Sequence, residues 1–337
     1  MNILVTGAGG PAAVSFMNAL SETGATFFMA DMDYHAAGLY LVPAAQRTLV
    51  LPGRHPEFVA DLLHQCLSLK IDVLVPTVDV ELIGVAKARK QFELAGVKIL
   101  LAEPQTLELC LDKLKLLIAC DGVVPVPQFA IFNETFNDSD WQYPLIVKPR
   151  SGSGSRGIVK VDTPAELAKL ERSSELLVQE YLPGEEFSVD VMANAQGEVL
   201  ASVPRARMKV DSGIAVVSRT VKDPELEACA RRVAERIGLT YVANIQFRRD
   251  AAGRPCLLEV NPRFPGTMPL TVASGVNIPL LCLKELQGAP ISSDELQWQE
   301  LAMVRTWHET YLAASEISAL ADSADNIGDT ACLAKAA

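Results

Sequence analysis

One short segment near residue 260 constrains the fold more than any other part of the chain. Glu259, Asn261 and Arg263 alternate there with the apolar residues Leu258 and Val260. Side chains alternate across a strand, so we expect the apolar pair to face a core and the polar three to lie about 7 Å apart on the other side. Carboxylate and amide oxygens beside a guanidinium suit Mg²⁺ and the polyphosphate that it chelates.

The preceding segment extends this predicted site. Residues 241–247 form a second alternating strand, and the turn that follows predicts a hairpin in which Gln246 lies beside Glu259 as another oxygen ligand. An edge hairpin with a solvated polar face is the simpler alternative. Pro262 and Pro265 on either side of Arg263 favour a shaped loop instead.

Composition limits the class of protein. The chain has 337 residues, 49% of them hydrophobic, which is enough for two or three domains with ample core. Its formal net charge of -11 argues against a general affinity for nucleic acid or an anionic membrane. Any bound polyanion must therefore be held by locally concentrated Lys and Arg.

The cysteines and the apolar runs predict a cytoplasmic protein. Seven scattered cysteines without a CxxC pair are expected to be reduced core residues, and the four histidines have no metal-ligand spacing. No apolar run is long enough to cross a membrane, and Met1 leads into a strand without a basic leader.

The first hundred residues predict a doubly wound parallel sheet. A glycine turn at residues 7–10 joins a strand to a helix, and a second strand ends at Asp31, which allows either dinucleotide binding or a purely structural turn. Thr77, Asp79 and Glu81 follow a later strand and are either pocket residues or a helix N-cap. The predicted elements are strands 2–6, 26–30, 71–76 and 97–102, and helices 58–69 and 82–95.

A glycine-serine loop, Ser151–Gly157, is the second informative stretch. It follows a strand that ends in Lys148 and precedes a strand at residues 158–161. Glycine and serine let a phosphate chain approach the backbone, and Lys148, Arg150 and Arg156 supply positive charge. Because the loop joins strand to strand and lacks Gly-Lys-Ser/Thr, it is not a Walker A loop.

Two further stretches belong to the predicted site. The strand 176–180 enters a proline-glycine turn, where free backbone groups at Glu180 and Leu182 can pair with an adenine edge and Glu186 can accept from ribose hydroxyls. Farther along, Arg205, Arg207 and Lys209 alternate, which predicts either a basic patch or a solvated charged face. The other predicted elements of this part of the chain are a helix at 106–119 that carries Lys113, an extended segment at 125–127 and a helix at 224–237.

Taken together, these motifs resemble the ATP-grasp superfamily, nearest to carbamoyl phosphate synthetase-like domains and carboxylate–amine ligases. The motifs are VKPRSGSGSRG, QEYLPGEEFSVD, NIQF and LLEVNPRF, after a helix with Lys113. The resemblance covers about residues 105–290. It implies an α/β fold: a pre-ATP-grasp Rossmann-like domain at 1–104, a small lobe with a lid at 105–190, a C-terminal lobe with the metal site at 191–312, and a tail at 313–337.

The resemblance also implies a role for each residue that matches a motif. Lys113 and Lys148 contact the ATP phosphates, the glycine-serine loop covers them, and Arg263 steadies the transferred phosphoryl group. Arg207, with Arg205, is hypothesised to orient the substrate carboxylate. The other implied nucleotide contacts are Ser151, Gly152, Ser153, Gly154, Ser155, Arg156, Gly157, Gln179, Glu180, Tyr181, Leu182 and Glu186, and the implied ligands of Mg²⁺ or Mn²⁺ are Gln246, Glu259 and Asn261.

The implied activity is an ATP-dependent ligase that activates a carboxylate as an acyl phosphate for attack by an amine. Three alternatives stay open: a bicarbonate-activating enzyme like carbamoyl phosphate synthetase, a non-catalytic nucleotide-binding protein, and an NAD-linked dehydrogenase that uses the first glycine turn and Asp31. The expected partners are a small carboxylate and a small amine, and many relatives are homodimers. The sequence names neither substrate.

Overall fold

The computed structural model describes residues 1–152, 154 and 156–322. The chain divides into two compact units. The first unit combines Met1–Leu101, Phe264–Pro269 and the described part of the chain from Thr306 onward, and the second combines Ala102–Arg263 with Leu270–Arg305. The predicted lobes at 105–190 and 191–312 both fall largely within the second unit.

The first unit is built on a five-stranded parallel sheet in the order β3-β2-β1-β4-β5. The order reverses between β1 and β4, as in doubly wound folds, so the predicted fold class is confirmed. A helix at residues 314–322 also belongs to this unit. The elements are β1 (Asn2–Thr6), α1 (Pro11–Ala19), β2 (Thr26–Asp31), β3 (Arg47–Leu49), α2 (Phe58–Ser68), β4 (Val73–Val75), α3 (Asp79–Lys87), α4 (Arg89–Leu94) and β5 (Lys98–Ile99).

The second unit contains two antiparallel sheets, called here the small sheet and the large sheet. The small sheet has the order β6-β9-β7-β8, and the large sheet has the order β14-β13-β10-β11-β12-β15. Its elements are α5 (Pro104–Cys110), α6 (Lys113–Cys120), β6 (Phe129–Ile131), β7 (Leu145–Pro149), β8 (Val159–Val161), α7 (Pro164–Leu167), β9 (Leu176–Glu180), β10 (Glu186–Ala193), β11 (Val199–Asp211), β12 (Ile214–Thr220), α8 (Pro224–Ile237), β13 (Tyr241–Arg249), β14 (Pro255–Asn261), α9 (Met268–Ser274), α10 (Ile278–Gln287) and β15 (Ala302–Val304).

Helix α8 shows how the large sheet gains its core. Asp223 caps its N-terminus by accepting from the Leu226 N–H at 3.1 Å, and Gly238 ends it in the left-handed region at φ 63°. The buried side of α8, including Val233, packs against alternate residues of β10, such as Val189. One face of the large sheet is therefore apolar, which leaves the opposite face for polar side chains.

Several predicted elements differ from the structure for identifiable reasons. The predicted helix 106–119 is two helices, because Asp112 caps a new helix by accepting from the Leu114 N–H at 3.0 Å. The predicted helix 82–95 is likewise broken, at Ala88. Pro125 and Pro127 do not form a strand, because proline has no N–H for a ladder. The short strands β3, β6 and β15 were not predicted.

The described cysteines confirm the prediction of reduced core residues. Each of the six is a buried free thiol: Cys66, Cys110, Cys120, Cys229, Cys256 and Cys282. Burial raises the pKa of the Cys66 thiol to about 12. No helix among the described residues has both the length and the apolar character that a bilayer crossing requires.

Candidate active site

The hairpin of β13 and β14 carries the predicted oxygen ligands. Gln246 lies directly opposite Glu259 in the ladder, and Asn244 lies opposite Asn261. Strands in such a pair place directly opposed side chains on the same face. The predicted neighbourhood of Gln246 and Glu259 is therefore confirmed.

A β-bulge changes which residues of β14 face the core. Gln246 pairs with Glu259 while the next residue, Phe247, pairs with Leu257, so Leu258 is the extra residue. Leu257 and Val260 belong to the core, and Leu258 is only partly buried. The expectation that Leu258 faces the core is therefore wrong, whereas Glu259 keeps its predicted face.

The Glu259 carboxylate is the centre of the polar face. Its Oε2 lies 3.5 Å from Lys113 Nζ, and its Oε1 accepts from Asn261 Nδ2 at 3.4 Å. About a quarter of the side chain, 27%, remains exposed. The described residues contain no cluster of three His, Cys, Asp or Glu side chains suited to a metal ion. A divalent cation at this face would thus rely on amide oxygens as well as on Glu259.

Two buried lysines stand beside this carboxylate. Lys113 is the first residue of α6, and its Nζ donates to the Gly152 carbonyl at 2.9 Å. Lys148, on β7, is only 5% exposed. Burial lowers the pKa of Lys148 to about 8; the charge of Glu259 raises that pKa and the charge of Lys113 lowers it. The pair places two ammonium groups beside Glu259 in an acidic protein.

Arg150 does not add to this charge. Its Nη2 is 2.6 Å from Asp112 Oδ2, and its Nη1 donates to the Ser174 carbonyl at 3.0 Å. Asp112 also caps α6, so the ion pair with Arg150 holds the capping carboxylate in place at the start of that helix. The guanidinium is thus committed to a carboxylate, and its contribution to phosphate binding stays a prediction.

The glycine-serine loop joins β7 to β8, as predicted. Ser151, Gly152, Gly154, Arg156 and Gly157 are exposed. Ser153 and Ser155 lie outside the described residues. The loop meets the turn between β11 and β12: a Cβ placed on Gly213, whose φ is +80°, would lie 3.0 Å from the Gly154 Cα. Only glycine gives this close backbone approach without strain.

The predicted adenine hinge follows β9. The Glu180 N–H is not free, because it donates to the Gln128 carbonyl at 2.9 Å. Leu182 is 3% exposed, and its N–H makes no hydrogen bond to any other described residue. The Tyr181 ring has two cations near it, with Lys160 Nζ at 5.2 Å and Arg248 Cζ at 5.7 Å from its centroid. Leu182 thus keeps a free backbone N–H, whereas the N–H of Glu180 is used within the chain.

Glu186 and Arg207 form a pair next to the hinge. Arg207 Nε lies 2.7 Å from Glu186 Oε1. The contact is an ion pair and not a hydrogen bond, because the N–H does not point at that oxygen. Arg207 also donates to Ser188 Oγ at 3.3 Å and to the Gly213 carbonyl at 3.0 Å. Arg248 Nη1 is 3.6 Å from Glu186 Oε2. Arg207 therefore connects the predicted ribose-binding residue to the β11–β12 turn.

Arg205 is not available to a substrate. It is fully buried, and it makes a two-pronged contact with Asp190, from Nε at 3.0 Å and from Nη2 at 2.7 Å. Asn244 Nδ2 and Thr271 Oγ1 also donate to Asp190, at 2.7 and 2.5 Å. The hypothesis that Arg205 orients the substrate carboxylate is wrong, because its buried guanidinium already binds the carboxylate of Asp190. Lys209 is exposed, beyond an irregularity in the β11–β12 pairing.

Sequence reasoning overlooked Ser188, Asp190 and Asn244. A signal was present: β10 and β13 alternate so that Ser188 and Asp190 lie opposite Gln246 and Asn244. Polar residues at alternate positions of a strand whose other face is apolar mark a continuous polar face.

In the first unit, the candidate residue Glu81 accepts hydrogen bonds from backbone N–H groups near the start of α3. Glu81 Oε1 accepts from the N–H groups of Thr77 and Val78, each at 3.0 Å, and from the Thr6 hydroxyl. Burial raises the pKa of Glu81 to about 7, and these hydrogen bonds lower it. Of the two alternatives, the N-cap is the one observed for Glu81.

Asp31 is likewise occupied. Its Oδ2 accepts from the Gly9 N–H at 2.8 Å, and its Oδ1 accepts from the Asp33 N–H at 3.0 Å. A dinucleotide site needs such a carboxylate for ribose hydroxyls. This geometry supports the structural alternative for the first glycine turn and speaks against the NAD-linked alternative.

Comparison with known proteins gives a family match and several relatives. Residues 172–310 match the family described as ATP-grasp in the biosynthetic pathway with Ter operon. The uncharacterised protein y4sG of Sinorhizobium fredii is 28% identical over 202 residues, 50% of this chain and 58% of that protein. The arginine-specific large chain of carbamoyl phosphate synthase from Bacillus subtilis is 25% identical over 158 residues, 43% of this chain and 15% of that one. A D-alanine–D-alanine ligase from a Thermotoga species is 30% identical over 106 residues, 30% of this chain and 35% of the ligase.

Solved structures extend the likeness to most of the chain. Biotin carboxylase from Campylobacter jejuni superposes with a TM-score of 0.71 at 17% identity, covering 88% of this chain and 73% of the enzyme. An L-amino acid ligase from Bacillus licheniformis gives 0.67 at 20% identity, covering 88% and 77%. At these identities the likeness concerns the fold.

The family match and the curated relatives point to one class of protein. They support the ATP-grasp superfamily for this chain. The matched segments span less than two thirds of each of the three curated relatives.

Proposed function

We propose that the chain is an ADP-forming ligase that uses ATP to join a small carboxylate to a small amine. One observation carries the proposal: Glu259, paired with Gln246 across the hairpin, stands 3.5 Å from the ammonium of Lys113, within one compact unit. A carboxylate flanked by amide oxygens and cations suits a nucleotide triphosphate with its divalent cation.

The proposed metal ligands are Gln246, Glu259 and Asn261. They fit Mg²⁺, or Mn²⁺ in its place, because their oxygens are hard donors and the Glu259 side chain keeps 27% of its surface exposed. When bound, the cation would neutralise negative charge on the phosphates.

The proposed reaction has two steps. The substrate carboxylate attacks the γ-phosphate and forms an acyl phosphate with release of ADP; the amine then attacks the acyl carbon and phosphate leaves. Lys113 and Lys148 would hold the phosphates, Arg263 would steady the transferred phosphoryl group, and the glycine-serine loop would exclude water that otherwise hydrolyses the acyl phosphate.

Arg207 remains the residue proposed to orient the carboxylate. It lies on the same face of the large sheet as Ser188 and contacts Glu186, the proposed ribose-binding residue. Gln179, Glu180, Tyr181 and Leu182 would line the adenine.

The proposal also includes lobe boundaries at 104, 190 and 312, a cytoplasmic location and a homodimer. The six buried thiols support a reducing compartment. One of the structural relatives, the biotin carboxylase domain of a Hydrogenobacter thermophilus carboxylase, is described as a dimer in complex with MgADP.

The test is phosphate release from Mg-ATP, scanned over amino acids and small carboxylates singly and in pairs, with products weighed by mass spectrometry. We expect release only with a particular pair, and a product mass equal to their sum less water. Release with bicarbonate alone would replace the ligase by the bicarbonate-activating alternative. No release with any pair, despite MgADP binding, would contradict the ligase and favour a binding protein.

Glu259→Gln is the matched variant. It keeps the size of the side chain and removes its charge, so we expect at least about 100-fold lower turnover and loss of the tightening of ADP binding by Mg²⁺ in calorimetry. Glu171→Gln makes the same change at an exposed position and should behave like the parent. An unchanged Mg²⁺ effect in Glu259→Gln would remove Glu259 from the metal site.

A further inference from the structure

A cavity of about 370 Å³ lies in the first unit, lined by residues of β3, α2 and helix 314–322. This volume is at the lower end of the range of about 300–1,000 Å³ that is usual for small-molecule sites. Glu259 and the two buried lysines belong to the second unit. The lining residues on which the chemistry of the cavity depends are Arg47, Thr48, Leu49, Gln65, Glu316 and Leu320.

Arg47 is a cation of this lining, and the fold holds it in place. Its side chain is 8% exposed, and its Nε donates to the Val42 carbonyl at 3.1 Å. Its guanidinium lies 4.9 Å from the centroid of the Tyr40 ring. A guanidinium that is fixed at Nε and covered by a ring offers its terminal nitrogens to an anion, and their planar arrangement suits a carboxylate.

Glu316 supplies this anion from a helix that is held by little burial. Its Oε2 lies 2.8 Å from Arg47 Nη2, and its side chain is 39% exposed. Within helix 314–322, which the structure describes throughout, no residue is buried. The acids that hold Arg150 and Arg205 differ in this respect, because Asp112 caps a helix and Asp190 is fully buried. Glu316 can therefore leave its arginine at a small cost in free energy.

The rest of the named lining is apolar or already paired. Leu49 is 6% exposed, and Leu320 is half-buried. The Thr48 hydroxyl donates to Gln65 Oε1 at 3.0 Å, so these two polar side chains satisfy each other. A molecule that enters the cavity thus meets one firmly held cation beside apolar walls. A carboxylate with a short hydrocarbon tail has the matching chemistry.

We propose that this cavity binds a small aliphatic monocarboxylate, which replaces Glu316 on Arg47 and releases helix 314–322. Glu316 then acts as a built-in competitor of the ligand. The ligand shifts the helix towards its released position because it binds Arg47 only when Glu316 has left. The inference does not depend on the proposed ATP-dependent reaction.

The experiment is isothermal titration calorimetry of the full chain with isocaproate, a branched aliphatic carboxylate. Isocaproamide has the same shape without the charge and is the control ligand. Hydrogen exchange followed by mass spectrometry reports on helix 314–322 with and without isocaproate. The variants are Arg47→Met, which removes the cation, and Glu316→Gln, which weakens the competitor. Glu309→Gln makes the same change at an exposed position of the same stretch and is the control variant.

We expect the parent chain to bind isocaproate with a Kd on the order of 1 mM. Glu316→Gln should bind it about two- to fivefold more tightly, because an ion pair with an exposed acid is the interaction that the ligand must replace. Arg47→Met should lose the binding, and Glu309→Gln should keep the parent affinity. The amides of helix 314–322 should exchange faster in the parent when isocaproate is bound.

Four results would overturn the inference. They are no saturable binding at about ten times the expected Kd, equal affinity for isocaproamide or for Arg47→Met, a Glu316→Gln affinity no higher than that of the parent, and helix exchange that slows or stays the same on binding. Slower exchange would mean that the ligand lies under a helix that stays in place. If Arg47→Met does not fold, the increase in Glu316→Gln still decides the question, because that variant removes only an exposed ion pair.

Discussion

Arg205 and Asp190 show how a charged pair is kept inside the large sheet. Both side chains are fully buried, and Asp190 accepts from Arg205, Asn244 and Thr271. Removing charges from water is costly, so each partner depends on the other. The pair ties β10, β11, β13 and α9 together within the polar face that carries Glu259.

We expect Asp190→Leu to lower the free energy of unfolding by about 3–5 kcal/mol, because it leaves a buried guanidinium uncompensated. The double variant Asp190→Leu/Arg205→Met should lose much less, since no buried charge remains. Urea denaturation of Asp190→Leu, Arg205→Met and the double variant measures the coupling free energy between the two residues. Asp162→Leu breaks an exposed ion pair with Lys160 and is the control; a loss no larger than the control's would contradict the prediction.

Glu81 makes the stability of the first unit depend on pH. Burial raises its pKa in the fold to about 7, above the ordinary 4.5 of a glutamate, so the folded chain binds this proton more tightly than the unfolded chain does. As pH falls from 7.5 to 4.5, the contribution of this residue to stability should therefore increase, by at most about 3 kcal/mol.

Glu81→Gln tests this pH dependence. Glutamine retains an oxygen for the three hydrogen bonds and has no charge to bury. We expect the unfolding free energy of the parent, relative to the variant, to rise between pH 7.5 and pH 5 in urea denaturation. A difference that is constant over this range would show that the fold does not raise the pKa of Glu81.

At the scale of the element, the β13–β14 hairpin and the position of the glycine-serine loop were predictable and local irregularities were not. The β13–β14 hairpin and the glycine-serine loop follow from alternation and from turn residues, which are local properties. The bulge at Leu258 depends on pairing with Phe247 and Gln246. Likewise, alternation places Arg205 and Arg207 on one face, but the acid that captures Arg205 comes from β10, through the sheet register.

The β11–β12 turn offers a test of how the glycine-serine loop is positioned. In Gly213→Ala the new Cβ would lie 3.0 Å from the Gly154 Cα, whereas in Gly197→Ala it would be 3.7 Å from its nearest neighbour, the Leu239 carbonyl. Both glycines have positive φ, +80° and +83°, so the backbone strain is matched.

We expect both variants to lose about 1 kcal/mol of unfolding free energy, and only Gly213→Ala to bind MgADP more weakly, because it pushes the loop away from the turn. Denaturation and calorimetry provide the two readouts. Equal MgADP affinities for the two variants would show that the contact does not affect the loop's role.

At the scale of the whole molecule, the first unit is assembled from three separate stretches of chain. Phe264 packs edge-on against Phe16 with ring centroids 4.7 Å apart, and Glu316 pairs with Arg47 at 2.8 Å. These contacts join residues more than two hundred positions apart. Sequence patterns over a short window cannot show them, which is why the first unit was predicted as residues 1–104 alone.

Glu316→Gln should lower the melting temperature of the chain slightly. Arg47 is largely buried, its guanidinium lies over the Tyr40 ring, and Glu316 is the acid that neutralises it. Because Glu316 is 39% exposed, we expect a loss below about 1 kcal/mol. Glu309→Gln, on the same stretch and also exposed, is the control; equal melting temperatures for the two variants would contradict the prediction.

The buried thiols can serve as probes of local unfolding. A thiol that is sealed from solvent is alkylated only when its surroundings open, so the rate of labelling measures local opening. Among the described cysteines, Cys66 reports on the first unit, and the remaining five report on the second. After Cys332→Ser, mass spectrometry of alkylated peptides can time the opening of each unit separately, with and without nucleotide, in the otherwise unmodified chain.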